Sequence, residues 1–178
     1  LAQLAGLLQG QGKLEEAEPL TRQALAGFEA TLGPTHEGTL ASITNLANLL
    51  EAQGKLEEAE ALCRRAFEGR EASIGPTAGP TLDTAASLAH LLEEQGKLDE
   101  AETLMRRALA GFEEMFDPTH EHLINARGNL GALLTKRGGE EKEAGVVMVR
   151  AAIAALQSPP HSMPPSHEWI VRFTAALA

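Results

Sequence analysis

The sequence predicts an all-α solenoid, in which helical hairpins stack one on another. The first observation behind this prediction is a motif that recurs every 42 residues. The second is the spacing of apolar residues by three and four within each copy, which indicates amphipathic helices. The third is composition: 43% of the 178 residues are hydrophobic, but only 3% are aromatic and none is Tyr. Leu- and Ala-rich helices fit this composition better than β-strands, which favour aromatic and β-branched residues.

The repeat is carried by a Gln-Gly-Lys-Leu motif and by a Pro-Thr pair. The motif begins at Gln11, Gln53 and Gln95, and the pair recurs at Pro34, Pro76 and Pro118 with the same spacing. A period of this length is a signature of repeat architectures. The predicted units span approximately residues 1–35, 36–77, 78–119 and 120–165, and a partial unit follows at 166–178. We expect the array to be truncated at both ends.

The pattern of each unit predicts two helices joined by a turn at a glycine. In the second unit, Gly54 is expected to end the first helix, because glycine adopts a left-handed conformation at little cost. The second helix is expected to open near Leu56. The predicted buried face of the first helix is Leu40, Ile43, Leu46, Ala47 and Leu50, and that of the second is Leu56, Ala59, Leu62, Cys63, Ala66 and Phe67.

Charged residues support the second helices of the units. Glu and Arg four residues apart form favourable pairs on a helix. They recur at the repeat spacing as Glu18–Arg22, Glu60–Arg64 and Glu102–Arg106. Gly75 and Pro76 are expected to end the second helix, and Thr77 is a candidate cap for the next one.

The fourth unit departs from the pattern. Arg137-Gly138-Gly139-Glu140 replaces the Gln-Gly-Lys-Leu motif, and Gly145 replaces the glutamate of the repeated ion pair. Glycine inside a helix is expected to cost about 1 kcal/mol relative to alanine. The connection over residues 157–165 is Pro-rich, and residues 169–178 begin a further first helix.

Charge and cysteine content exclude several classes of function. The formal net charge is -10, whereas nucleic-acid surfaces and proteins docked on anionic lipid need clustered Lys and Arg. No apolar run approaches the roughly 18 residues of a membrane span. Cys63 is the only cysteine, so nothing requires an oxidising compartment. We therefore expect no nucleic-acid partner, no membrane association and a cytoplasmic location.

No group of residues indicates catalysis. His120-Glu121-His122 lacks the spacing of a zinc protease motif, and His120 and His167 occupy the loop position that His36 holds in an earlier unit. Cys63 lies on an apolar helix face and is expected to be a buried small hydrophobe. The glycines match no phosphate-binding loop. We expect no enzyme activity, no cofactor and no metal.

Leu46, Ala47, Leu50, Gly54, Ala59 and Ala66 together form a pattern that resembles the tetratricopeptide repeat, whose usual period is 34 residues. Residues 45–77 resemble the long-period repeats of the kinesin light chain family. The resemblance implies a right-handed superhelix of helix hairpins, with the first helices on its concave face. It also implies a non-enzymatic scaffold that binds a partner protein in that groove, as a cargo adaptor does. The alternative is a sensor or regulatory array of a larger signalling ATPase or enzyme.

The candidate binding residues are the polar positions opposite the apolar stripe of each first helix. An Asn amide both donates and accepts, so it can pair with the backbone of an extended peptide, and the resemblance places asparagines at this end of the helix. A plain alternative is that these are ordinary solvent-exposed helix positions. The candidates are Thr44, Asn45, Asn48 and Glu51 in the second unit, Asp83, Ser87, His90 and Glu94 in the third, and Asn125, Asn129 and Lys136 in the fourth.

The charge of these positions indicates the kind of partner. Glu51, Asp83, Glu93 and Glu94 make the predicted groove acidic. Because like charges across an interface are unfavourable, we expect a basic or apolar segment rather than an acidic one.

Overall fold

The computed structural model describes residues 2–158, 161, 163–164 and 167–178. These residues form α-helices and one short 3-10 helix, and the part of the chain so described contains no β-strand. They group into two compact parts, called unit 1 (Leu1–Gln95) and unit 2 (Gly96–Ala178) from here on. These numbers do not refer to the 42-residue repeat units of the sequence analysis.

In unit 1, each helix packs against the one that follows it in the chain. The core between them is built from the predicted apolar stripes, and Ile43, Leu50, Ala59 and Ala66 are completely buried. Leu56 and Leu62, which the sequence places on the buried face of the second helix, are only half-buried. The helices are α1 (Ala2–Gly10), α2 (Leu14–Leu32), α3 (Glu37–Ala52), α4 (Leu56–Ile74) and α5 (Gly79–Glu94).

In unit 2, α7 packs against both α6 and α8, and α8 packs against α9. The core of its later part includes Val149, Leu156, Ile170 and Phe173. The helices are α6 (Leu98–Met115), α7 (Glu121–Arg137), a 3-10 turn (Gly139–Glu141), α8 (Lys142–Gln157) and α9 (Glu168–Ala175).

The glycine of the repeated motif ends the first helix, as predicted. Gly54 has φ +75°, a conformation that glycine adopts without the penalty of a side chain. The backbone N–H of Lys55 then donates to the carbonyl of Leu50 at 2.8 Å. The helix is therefore closed by its own backbone, and the chain reverses into α4.

Helix starts differ from the prediction. Thr77 does not cap α5: the residue before that helix is Ala78, and no side chain accepts a hydrogen bond there. In the corresponding places of α3, α7 and α9, His36, His120 and His167 cap the helix, and each Nδ1 accepts from the backbone N–H two residues later. The histidines of the repeat loop thus have a structural role.

The repeated ion pairs are confirmed. Glu60–Arg64 and Glu102–Arg106 join at 2.8 and 2.9 Å. Arg22 contacts Glu18 at 2.9 Å and also reaches Glu58 on the next second helix.

Gly145 is buried, and its lack of a side chain lets α8 approach α7 closely. The sequence-based expectation that alanine would be more stable than glycine at this position considers only helix propensity. A side chain here would collide with the backbone of α7. Several residues of the predicted Pro-rich connection, Pro159, Pro160, Ser162 and Pro165, and the predicted first residue of the last unit, Ser166, lie outside the described residues. No helix among the residues described is long and apolar enough to cross a membrane.

Candidate functional site

Helix α3 presents an amide pair to solvent on the side opposite its buried stripe. Asn45 and Asn48 are exposed, while Leu46, Leu49 and Leu50 beside them are buried. Alternation of this kind follows from the 3.6-residue period, because positions three residues apart share a face. The two predicted amides therefore lie side by side on one accessible surface. We call the accessible side chains of α3 and α5, two first helices of unit 1, the first-helix face.

A cavity opens beside Asn45 in unit 1. Its volume is about 170 Å³, which is smaller than the roughly 300 Å³ at which small-molecule sites begin. It suits a single side chain rather than a cofactor. The lining comes from three helices: Ala5, Gly6 and Gln9 of α1, Thr21, Ala24 and Phe28 of α2, and Ser42 and Asn45 of α3.

Helix α5 continues the first-helix face with acidic and imidazole groups. Asp83 and Glu94 are exposed, and Ser87 and His90 are half-buried. The Ser87 hydroxyl donates to the Asp83 carbonyl within the helix, which occupies its proton. His90 faces Glu51 of α3, with 3.4 Å between Nδ1 and the carboxylate. The structure therefore brings predicted residues of two helices together at this point.

Thr44, which the sequence predicts to contact a partner, is instead hydrogen-bonded inside the protein. Its hydroxyl donates to the Leu40 carbonyl and accepts from the guanidinium of Arg70. Arg70 is buried, with 8% of its side chain exposed, and pairs with Glu37 at 2.6 Å. It also donates to Thr84 of α5. Thr44 is thus part of an internal network that connects α3, α4 and α5.

Unit 2 holds the remaining candidates on α7. Asn125 and Asn129, one turn apart, are half-buried, and Lys136 is exposed in the last turn. The amide oxygens of Asn125 and Asn129 accept no hydrogen bond from any residue that the structure describes. Because a shielded acceptor without a donor is unfavourable, these amides favour a partner that supplies an N–H group.

The cysteine is unsuited to nucleophilic chemistry. Cys63 is 1% exposed, and burial, together with the charge of Glu51, raises the pKa of its thiol to about 12. Reactive cysteines need the opposite, a lowered pKa and access to solvent. The sequence-based assignment of Cys63 to the packed face is confirmed.

A second cavity, which the sequence did not reveal, lies between α7 and α8 in unit 2. Its volume is about 220 Å³, and Val147 on its rim is exposed. It is mostly apolar, because every residue that α8 contributes to its lining is apolar. The lining is Pro118, Ile124, Arg127, Val147, Met148, Ala151, Ala152 and Ala155.

Comparison with known proteins gives a consistent result. Residues 1–72 and 80–144 match a family model described as tetratricopeptide repeat. No curated protein matches the chain in sequence.

Solved structures share the fold. Nearly identical TPR-like repeats assigned to a kinesin light chain of Podosopora anserina superpose with a TM-score of 0.78 at 21% identity, over 99% of this chain and 81% of that one. A single-substitution variant of the same repeats gives 0.79 at the same identity and coverage. BtubC (BKLC) from P. vanneervenii gives 0.78 at 23% identity, over 92% of this chain and 65% of that one. The predicted all-α fold class is thereby confirmed.

Proposed function

Because the chain belongs to the tetratricopeptide repeat family, we propose that it is a non-enzymatic scaffold whose first-helix face binds an extended segment of a partner protein. The family and its fold indicate a protein–protein interaction module. The finer parts of the proposal, namely the face, the kind of segment and the role of a cargo adaptor, rest on the residues of that face.

The observation that carries the proposal is the position of Asn45. Its amide stands at the edge of a cavity that fits one side chain, and Asn48 is exposed one turn further along the same helix. Such an arrangement combines an amide that can pair with ligand backbone and a recess for a side chain. These are the two elements of peptide recognition in an extended conformation.

Charge selects among segments. Asp83 and Glu94 are exposed on α5, Glu51 is half-buried on α3, and the net charge of the chain is -10. An acidic segment would meet like charges here, whereas a basic or apolar one would not. We therefore propose a basic or apolar partner segment.

The likeness to repeats of kinesin light chains supports a cargo-adaptor-like role, in which the array holds a partner without changing it chemically. A cytoplasmic location is part of the same proposal, since a single cysteine forms no internal disulfide that would need an oxidising compartment.

The test begins with affinity capture of partners by the protein, followed by calorimetric titration of a captured segment. The double substitution Asn45→Ala, Asn48→Ala removes two backbone-pairing amides, each typically contributing about 0.5–1.5 kcal/mol. We expect binding to weaken roughly tenfold.

The matched control is Gln23→Ala, which removes an exposed amide from the second helix α2 and should leave the affinity unchanged. If Gln23→Ala weakens binding and the asparagine pair does not, the partner uses another surface and the proposal fails.

A further inference from the structure

Three metal-ligating side chains converge on the first-helix face of unit 1. They are Glu51 in the last turn of α3, and His90 and Glu94 of α5, and their ligand atoms all lie within 4.8 Å of one another. His90 and Glu94 are four residues apart, so they project from one face of α5. Glu51 supplies the third group from the preceding first helix.

The imidazole of His90 is the unusual member of this group. Its Nδ1 is shielded from solvent and makes no hydrogen bond with any described residue. The nearest carboxylate oxygen, on Glu51, lies 3.4 Å away without hydrogen-bonding geometry. A shielded nitrogen left in this state is unfavourable, and a cation bound between it and the carboxylates would remove that cost.

The distances fit a tetrahedral ion. Ligand atoms about 2.0–2.2 Å from a tetrahedral zinc ion lie roughly 3.3–3.6 Å from one another. The Nδ1 of His90 is 3.4 Å from Glu51 and 3.9 Å from Glu94. The remaining edge, between the two carboxylates, can shorten because the side chain of Glu94 is 41% exposed and can change rotamer. Little rearrangement therefore separates this constellation from a three-ligand site.

From this geometry we propose that Glu51, His90 and Glu94 form a zinc-binding site with its fourth position open to solvent. An imidazole with two carboxylates suits zinc and other transition metals, while calcium and magnesium prefer oxygen ligands alone. The ion would join α3 to α5 and neutralise part of the negative charge of the face. The sequence did not reveal this site, because its ligands come from different units of the repeat and match no motif.

The site is independent of the proposed partner, since zinc binding can be measured with the protein alone. The protein is first freed of metal with a chelator and then titrated with zinc chloride by calorimetry. We expect saturable binding of one ion and a melting temperature that rises with zinc concentration, because a ligand that binds only the folded state stabilises it.

Two variants distinguish this site from general attraction of cations by an acidic protein. His90→Gln should weaken zinc binding at least tenfold. The control is Glu93→Gln, which removes one negative charge from the same helix, next to Glu94 but outside the group of three ligands. It should leave the zinc affinity unchanged. Glu94→Gln, at an exposed position, serves as a second variant if His90→Gln does not fold, and it should also weaken binding.

Three outcomes would overturn the proposal. One is equal zinc affinity in the wild type and in these site variants. Another is calcium binding that matches or exceeds zinc binding. The third is no zinc binding at all, together with a basic peptide whose affinity depends on Glu51 and Glu94; the constellation would then hold a partner's ammonium or guanidinium group.

Discussion

A methyl group added at Gly145 would lie 2.7 Å from the carbonyl oxygen of Gly131 and 2.8 Å from the amide nitrogen of Thr135. Both are backbone atoms of α7, so neither can yield by a rotation. We expect Gly145→Ala to destabilise the protein by about 1–3 kcal/mol through overpacking, although alanine has the better helix propensity. The urea midpoint of unfolding measures this change.

The control for that substitution is Gly27→Ala in α2. A methyl group at Gly27 would meet no described atom within 4 Å beyond the backbone of its own helix. Here propensity alone should act, and we expect stabilisation by about 0.5–1 kcal/mol. If Gly145→Ala and Gly27→Ala stabilise the protein equally, α7 and α8 do not approach as closely as described.

The buried guanidinium of Arg70 gives a second prediction. It donates to Glu37 at 2.6 Å and to the hydroxyl of Thr84, and so ties α4 to the first helices on both sides. Replacing it with Met, which keeps the apolar stem, should cost about 2–3 kcal/mol through the loss of charge-assisted hydrogen bonds. Thermal unfolding followed by circular dichroism measures the loss.

Arg65→Met provides the comparison for Arg70. Arg65 pairs with Glu29 at 2.6 Å, but its side chain is 44% exposed, and exposed ion pairs contribute about 0–1 kcal/mol. Equal losses at the two positions would show that Arg70 is no more important than a surface charge.

The thiol of Cys63 should be nearly inert. With its pKa raised to about 12, roughly one molecule in ten thousand carries the thiolate at pH 8, and only the thiolate reacts. We expect labelling by a disulfide reagent to be at least a thousandfold slower in the native protein than in urea, as followed by absorbance. Labelling at equal rates would contradict the packing of that face.

The pH dependence of stability should reflect Glu18. Hydrogen bonds from Lys55 and then Arg22 lower the pKa of this carboxyl from 4.5 to about 2. Between these values the unfolded chain binds the proton more strongly, so the stabilisation is complete above pH 4.5 and is lost as the pH falls towards 2. Because both cations are partly exposed, we expect about 1–2 kcal/mol after screening.

Glu18→Gln should remove that part of the pH profile, measured as the urea midpoint between pH 5 and pH 2.5. Glu16→Gln changes an exposed carboxylate in the same helix and should leave the profile as it is. An unchanged profile in Glu18→Gln would contradict the assignment.

The start of α5 offers a stabilising substitution. Ala78 occupies the N-cap position of α5, which is a histidine in α3, α7 and α9. Its methyl group accepts no hydrogen bond. Ala78→Ser should add about 0.5–2 kcal/mol, measured as a rise in melting temperature. Thr77→Ser, one residue before the cap, should have little effect, and a similar gain from it would argue against a capping origin.

The helices could be predicted from the sequence because their information is local. The apolar stripe through Ile43 and Leu50 and the helix end at Gly54 depend on residues within a few turns of one another, and both are confirmed. The ion pair Glu60–Arg64 was predictable for the same reason, since four residues make about one turn.

The contacts between helices could not be predicted in this way. In the sequence, Arg70 is one more charge near a helix end, and only the packing of α3 and α5 on α4 turns it into a buried connection. Propensity gives Gly145 the wrong preference because it takes no account of the neighbouring helix. Glu51 and His90 are each predicted on the accessible face, but their proximity depends on the distance between two first helices.

The double contact of Arg22, with Glu18 in its own helix and with Glu58 on the following second helix, has a consequence for how such a chain can evolve. In unit 2, Arg106 likewise contacts Glu102 and also Glu141, in the 3-10 turn that follows α7. In these two copies, the same arginine thus joins its own second helix to the start of the next hairpin's second half. A duplicated 42-residue segment that carries such an arginine and its two glutamates would bring a matched junction with it, so a hairpin could be added without a new contact having to evolve.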